Sequence, residues 1–251
     1  MRQRLFTTLA LMLIGLQTAS AQPSDAPGET AHPFKLTTGL YQYSDADGQR
    51  SNAVDINLRH SSGLGNLWIG HFVWQAQDLT QDRVGWDRTL PLNTPVGELR
   101  LIPSVQLATG GAWNGSFGLE TGETWFVGAG LGRTNLRDSV SLNFDPNDSY
   151  TVSGGYRWPD SQSLSFLLVR DNRPNPDQRH LHLIYRTPRP EQHRLTLDLL
   201  LKSGLVEGEA IERTGLSIAY DWPRWFVRVS YDPKANFTPQ DLWRLAVGTR
   251  F

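Results

Sequence analysis

The chain ends LWRLAVGTRF, residues 242–251, and its side chains alternate strictly between two kinds. Every second residue, counted back from the end, is apolar or aromatic, with one threonine among them: Phe251, Thr249, Val247, Leu245 and Trp243. The residues between them are either charged or small. Because successive side chains of a β-strand point to opposite faces, this pattern predicts a terminal strand with one apolar face and one polar face.

The same period of two recurs along most of the chain. In residues 53–59, for example, Val54, Ile56 and Leu58 alternate with polar side chains. No stretch after residue 21 has a competing helical period. The chain contains 14 candidate strands: residues 36–44, 53–59, 66–77, 82–92, 98–107, 113–121, 124–132, 150–158, 163–171, 179–187, 194–202, 213–222, 225–232 and 242–251.

The composition excludes several functional classes. The 251 residues are 39% hydrophobic and 20% charged, with a formal net charge of −1. A nearly neutral chain without a basic run gives no reason to expect a nucleic-acid partner. The lack of cysteine excludes disulfides, thiolate nucleophiles and cysteine-ligated zinc. No run reaches the roughly 18 apolar residues of a membrane helix, so a helical membrane protein is excluded, whereas a membrane β-barrel is not.

A secretory signal peptide is predicted for residues 1–21. Two arginines precede an apolar run over residues 5–16, and an A-x-A sequence follows at residues 19–21. The apolar run is too short to span a bilayer, which takes about 20 residues in a helix. We therefore expect cleavage after Ala21, a flexible polar segment over residues 22–34 and a β-domain over residues 35–251.

Two architectures account for many amphipathic strands, and the period alone does not separate them. In a soluble sandwich or barrel the apolar faces point inward, whereas in a membrane barrel they face lipid and the polar faces line the lumen. The candidate strands match the length that crosses a bilayer at a tilt. Trp and Tyr favour the membrane–water interface, and many of them lie at strand ends: Tyr41, Tyr43, Trp68, Trp74, Trp125, Tyr156, Trp158, Tyr220, Trp222, Trp225 and Trp243. These observations favour the membrane barrel.

The final strand resembles the C-terminal recognition strand of Gram-negative outer-membrane β-barrel proteins. The matching residues are Phe251, Val247, Leu245 and Trp243, and Thr249 departs mildly from the pattern. The resemblance is to that class and not to a specific family. It implies insertion into the bacterial outer membrane, contact with outer-membrane lipids and lipopolysaccharide, and recognition of the last strand by the barrel-assembly machinery.

We therefore predict an all-β fold, a transmembrane antiparallel up-and-down β-barrel of about 12 strands, within a range of about 10 to 14. An even number of strands places both termini in the periplasm. The expected number is below the count of candidate strands because some neighbouring stretches, such as 113–121 and 124–132, are only weakly separated.

With the apolar faces in lipid, charged residues line the lumen, and the basic ones outnumber the acidic ones. The lumen-lining residues expected to contact solute are Arg59, Arg100, Arg157, Arg186, Arg194, Lys202, Arg228, Arg244, Asp55 and Asp198. A positive excess in a narrow pore favours anions, so the first hypothesis is a passive, porin-like channel for small polar or anionic solutes. The alternative is that these side chains pair across the lumen and close it, which leaves the external loops to bind a ligand or partner. No pattern indicates a cofactor or a metal ion.

An enzymatic alternative rests on His60 and Ser62 as catalytic candidates. The His-x-Ser pair resembles that of outer-membrane phospholipases and lipid A deacylases, which carry it on the lipid-facing side. The resemblance implies a serine activated by the histidine, with an Asn or Glu about 14 residues further on as the third member. Here that position holds Trp74, followed by Gln75, so the third member is missing. His60 also falls at the periplasmic end of its strand, and a turn is the simpler interpretation.

Two further patterns indicate structural roles. His180 and His182 share one face of a strand, but no third ligand is placed nearby, so a polar lining is favoured over a metal site. Gly128, Gly130 and Gly132 alternate on one face of a strand with no helix after them. They therefore indicate room in the lumen or strong strand curvature, and not a phosphate-binding loop.

Overall fold

The structure is a computed structural model that describes residues 32–95, 97–137, 139–140, 147–173 and 175–251. The predicted signal peptide and residues 22–31 lie outside these ranges. Within them, no helix has the length and hydropathy needed to cross a membrane.

Antiparallel strands form a single sheet that closes into a barrel of 14 strands, with one additional strand. The strands are β1 (Phe34–Ser44), β2 (Arg50–Ser62), β3 (Gly65–Trp74), β4 (Leu79–Asp87), β5 (Leu90–Thr94), β6 (Gly97–Ala108), β7 (Ala112–Thr121), β8 (Trp125–Thr134), β9 (Ser149–Arg157), β10 (Ser163–Asp171), β11 (Arg179–Arg189), β12 (His193–Val206), β13 (Glu209–Asp221), β14 (Trp225–Asp232) and β15 (Asp241–Arg250). Neighbours in the chain are neighbours in the sheet, and the ring closes where β1 pairs with β15 and where β4 pairs with β6. This is the predicted up-and-down topology.

The additional strand, β5, continues the line of β4 after a break at residues 88–89. Both strands pair with β6 in the same register. The break lies opposite Pro103, which has no N–H to donate. The Arg88 amide donates to the Pro103 carbonyl oxygen at 3.2 Å, but the proline cannot return the bond. Among the described strands β5 pairs only with β6, so its other edge is open.

The strand number is close to the predicted value of about 12 and lies at the upper limit of the predicted range. β7 and β8 remain separate strands because the chain reverses between them at Gly122, whose φ of +93° favours glycine. A Cβ at this position would lie 2.0 Å from the Trp125 carbonyl oxygen. The short interval between the candidate strands 113–121 and 124–132 is therefore a tight turn between β7 and β8.

The apolar faces of the strands point outward. On β2, Ile56 is 47% exposed, whereas Asp55 beside it is 3% exposed. On β8, Val127 is 62% exposed, whereas Phe126 is buried. Aliphatic side chains on the outside of a closed sheet form a surface that lipid covers more favourably than water. The charged faces therefore enclose the interior of the barrel, the lumen.

The two ends of the barrel differ. The terminal end carries Phe34 and Phe251, whose rings stack with 5.7 Å between centroids, and the shorter turns. The loop end carries the longer connections, including those between β8 and β9 and between β14 and β15. Outward aromatic rings contact one another at the terminal end: Trp125, Tyr156 and Trp158 in one group, and His193, Tyr220 and Trp222 in another. This girdle matches the expected membrane interface.

Four aromatic residues expected at that interface are inside the barrel instead. Tyr41, Tyr43, Trp68 and Trp74 are at most 5% exposed. The expectation was wrong for them because a position near a strand end does not decide which face a residue occupies. The alternation of side chains along the strand decides the face. Leu40 faces outward, so Tyr41, the next residue, faces inward.

An apolar cluster fills the lumen near the loop end. It comprises Tyr41, Tyr43, Ala53, Phe72, Trp74, Val140, Ala235 and Leu242. Val140 comes from the β8–β9 connection and Ala235 from the β14–β15 connection, and both side chains pack inside the lumen. The Val140 amide donates to Gln81 Oε1 at 2.7 Å. The lumen is therefore narrowed at the loop end.

Candidate functional site

Charged side chains surround the lumen at the terminal end. This terminal charge ring consists of Lys35, Arg59, Asp87, Arg100, Glu120, Arg157, Arg194, Asp221 and Arg250. Strand pairing brings its members to one level of the barrel, because Lys35 lies opposite both Arg59 and Arg250. Basic residues outnumber acidic ones in the ring, so a positive excess remains after every acid is paired.

Glu120 joins two arginines of the ring. Its side chain is 2% exposed and accepts hydrogen bonds from Arg100 at 2.5 Å and from Arg157 at 2.8 Å. Arg157 also lies over the Phe126 ring at 3.8 Å. Charge-assisted bonds of this kind are short and directional. They hold both guanidinium groups against the wall formed by β6 to β9.

The other two acids of the ring are held in the same way. Asp221 accepts from Arg250 at 2.5 Å and lies 3.5 Å from Arg194, and Arg59 donates to Asp87 at 2.8 Å. The partners come from strands that are adjacent in the wall or separated by one strand. These salt bridges therefore run along the wall and do not cross the lumen.

Two further ion pairs of the lumen also join nearby strands of the wall and do not cross the lumen. Asp55 on β2 accepts from Arg83 on β4, and both side chains are buried. Lys202 on β12 lies 2.5 Å from Asp232 on β14, and both side chains are 0% exposed. Each pair skips one strand. Opposite charges are again neutralised within the wall.

Two arginines of the lumen lack such a partner. Within the part of the chain that the structure describes, neither Arg186 nor Arg228 forms a salt bridge or a side-chain hydrogen bond. Arg186 is in electrostatic range of Arg194, and Arg228 of Arg244, while Asp198 is an acid in range of both. Positive charge is therefore concentrated here without pairwise neutralisation.

A small cavity, partly open to solvent, lies beside β7 to β10. Part of its wall is made of small residues. A Cβ on Gly130 would lie 2.6 Å from Thr151 Oγ1, and one on Gly128 would lie 2.7 Å from Ser153 Oγ. The alternating glycines therefore make room in the lumen. Arg186 also lines the cavity.

The ten residues predicted to line the lumen all lie on inward faces, but they do not form one site. The terminal charge ring holds Arg59, Arg100, Arg157 and Arg194, and the buried ion pairs hold Asp55 and Lys202. Asp198 is half-buried beside His182, and Arg244 lies 5.1 Å from the Tyr41 ring. Among the described residues, Arg186 and Arg228 form no salt bridge. Solute binding by these residues remains a prediction.

His60 and Ser62 are not assembled into a catalytic pair. His60 lies on the outside, with its ring 4.7 Å from that of Phe34. The Ser62 hydroxyl donates to the Gly65 carbonyl oxygen at 3.1 Å and accepts from the Leu64 amide at 3.2 Å. Ser62 therefore stabilises the turn between β2 and β3, which is the simpler role that the sequence indicated.

His180 and His182 face the lumen with their rings 6.1 Å apart. His180 stacks on Phe237 at 5.2 Å, and His182 Nδ1 lies 3.0 Å from Asp198 Oδ1. Across the described ranges, no three His, Asp or Glu side chains come close enough together to hold a metal ion. The contact with Asp198 was not foreseen, because it depends on the register between β11 and β12.

Sequence reasoning missed several lumen residues. Arg83 and Asp87 on β4 were not assigned to the lumen, although their alternation with Val84 carries that signal, and Lys35 on β1 was not assigned to it either. The apolar lining of the cavity was also missed. Leu167 and Ile184 point inward from strands whose two faces are both partly apolar, so the period of two is weak there.

Comparisons with known proteins agree with this architecture. A scan against models of protein families gives no match, and neither does a search of curated proteins. Among solved structures, the barrel is similar to the Acinetobacter baumannii outer membrane protein Omp33, with a TM-score of 0.54, 12% identity, and coverage of 88% of this chain and 98% of that chain. Weaker similarities are to the NanC porin (TM-score 0.46, 9% identity, coverage 86% and 100%) and to a triple mutant of the Rhodopseudomonas blastica porin (TM-score 0.42, 8% identity, coverage 87% and 99%). The chain has the fold of the outer-membrane β-barrel proteins.

Proposed function

We propose that this protein is a narrow passive channel for small anionic solutes. The course of the salt bridges along the wall carries this proposal. If Glu120 or Asp221 bridged the lumen, paired charges would close it. Because these acids are neutralised by arginines on nearby strands, the centre is left to the cavity and to the unpaired Arg186 and Arg228. A positive excess within a low-dielectric wall lowers the energy of an anion and raises that of a cation.

The proposal includes location in the bacterial outer membrane. The exposed aliphatic faces and the aromatic girdle support it, because both match a barrel that is surrounded by lipid. Its partners there are outer-membrane lipids and lipopolysaccharide. Phe251, which is 55% exposed at the end of β15, is the residue that the barrel-assembly machinery would recognise. Export would require removal of the signal peptide after Ala21.

Ion conductance of the purified protein in planar lipid bilayers tests the proposed channel. The protein is expected to produce discrete current steps with a higher permeability for chloride than for potassium. Absence of steps, or selectivity for potassium, contradicts the proposal.

A pair of neighbouring substitutions on β9 tests the route through the cavity. Thr151→Phe places a ring in the cavity and is expected to reduce the conductance by at least about twofold, since pore radius limits ion flow. Val152→Phe is the matched control, because Val152 is 49% exposed on the outer face. Equal conductance of the two variants would exclude this cavity as the route.

A further inference from the structure

The cavity has an apolar part beside its charged part. Ile102, Phe126, Leu167 and Ile184 all line it, and each is at most 7% exposed. These side chains occupy the inward faces of their strands. Hydrated inorganic ions gain nothing from such a surface, whereas a solute with a hydrocarbon portion does.

Arg186 lies next to this apolar part. It follows Ile184 by two residues on the same face of β11, and both residues line the cavity. Arg186 has no salt-bridge or hydrogen-bond partner among the described residues, and Arg194 is a second cation within its electrostatic range. Two cations close together, one of them without a paired acid, attract an anion, so binding of an anion at this position is favoured.

The guanidinium group favours one kind of anionic group. Its planar fork of N–H donors matches a carboxylate with two parallel hydrogen bonds. Phosphate also fits such a fork, but inorganic phosphate has no apolar portion to cover Ile184 and Leu167. A carboxylate on a hydrocarbon body uses both parts of the cavity.

We propose that the cavity is a binding site for small carboxylates with an apolar body. The carboxylate pairs with Arg186, and the body packs against Ile102, Phe126, Leu167 and Ile184. This inference deepens the proposed function and rests on it, because the solute must enter the lumen to reach the site.

Calorimetric titration of the folded protein in detergent micelles with benzoate tests the site without measuring current. Benzoate is expected to bind saturably. Acetate is expected to bind at least about tenfold more weakly, because it lacks most of the apolar area that benzoate would bury. Inorganic phosphate is expected to bind no more tightly than acetate. Binding of acetate or phosphate as tight as that of benzoate would overturn the proposal.

Charge variants separate a specific site from general attraction of anions. Arg186→Gln is expected to weaken benzoate binding at least about tenfold, and Arg186→Lys several-fold, because lysine keeps the charge but not the fork. Arg213→Gln is the matched control, since it removes one exposed charge that does not line the cavity and is expected to change binding by less than about twofold. Equal weakening by Arg213→Gln and Arg186→Gln would refute a discrete site. A heat-dependent gel shift verifies that each variant is folded.

An apolar variant tests the other half of the site. Ile184→Thr is expected to weaken benzoate binding several-fold while leaving acetate binding unchanged, because only benzoate contacts the removed hydrocarbon. Chloride conductance distinguishes the two proposals. Conductance without benzoate binding overturns the site alone, whereas benzoate binding without conductance overturns the channel alone.

Discussion

Replacement of Asp232 by asparagine is expected to destabilise the barrel strongly. Lys202 and Asp232 are both 0% exposed and lie 2.5 Å apart. Removal of one partner from a buried ion pair takes away the nearest counter-charge of the other, which typically costs about 3–5 kcal/mol. Lys202 keeps a hydrogen bond to the Lys234 carbonyl oxygen at 2.8 Å, so we expect the lower part of that range, about 3 kcal/mol.

Equilibrium unfolding in urea, followed by tryptophan fluorescence in lipid vesicles, measures this change in the free energy of unfolding. The double variant K202M/D232L is expected to lie within about 1 kcal/mol of the parent or to be more stable, because it removes both charges. Asp82→Asn is the exposed control. It breaks a pair with His71 whose side chains are 67% and 50% exposed, and is expected to change stability by less than about 1 kcal/mol. A D232N variant as stable as D82N would refute the reasoning.

Three further predictions concern the barrel wall. Leu245→Arg, on the outer face in the middle of β15, is expected to lower the free energy of unfolding by about 2–4 kcal/mol. Thr249→Arg, near the terminal end of the same strand, is expected to lower it by at most about 1 kcal/mol. Equal effects of the two variants on unfolding in lipid vesicles would contradict lipid contact. Gly122→Ala is expected to cost at least about 1 kcal/mol because of its positive φ, whereas Gly63→Ala, whose Cβ would meet nothing within 4 Å, leaves the urea midpoint nearly unchanged. Deletion of Phe251 is expected to lower the fraction of heat-modifiable, folded barrel in outer-membrane preparations, and an unchanged fraction would exclude its recognition during assembly.

Much of the fold follows from the period of two, because the pleat of a strand alone decides which side chains share a face. The sequence therefore predicts that Ile56 faces outward and that Asp55 faces inward, and the structure agrees. The choice between lipid and a dry core for the apolar face depended on further signals. Strand length, tryptophan content and the final strand supplied them.

The partners of the lumen charges could not be predicted in this way. The pairing of Asp55 with Arg83 depends on the stagger of β2, β3 and β4, and a short sequence pattern carries no information about stagger. The sharing of Glu120 between two arginines has the same origin. The inward packing of Val140 and Ala235 was also not predictable, because the sequence of a loop does not show which of its side chains enter the lumen.

The excess of basic side chains in the terminal charge ring has an electrical consequence. A pore with its fixed charge at one mouth accumulates counter-ions there, so currents of opposite sign meet different ion concentrations at their entrance. Such a pore rectifies: at voltages of equal size it passes more current in one direction than in the other. The sense of the rectification would report which way each molecule has inserted into a bilayer.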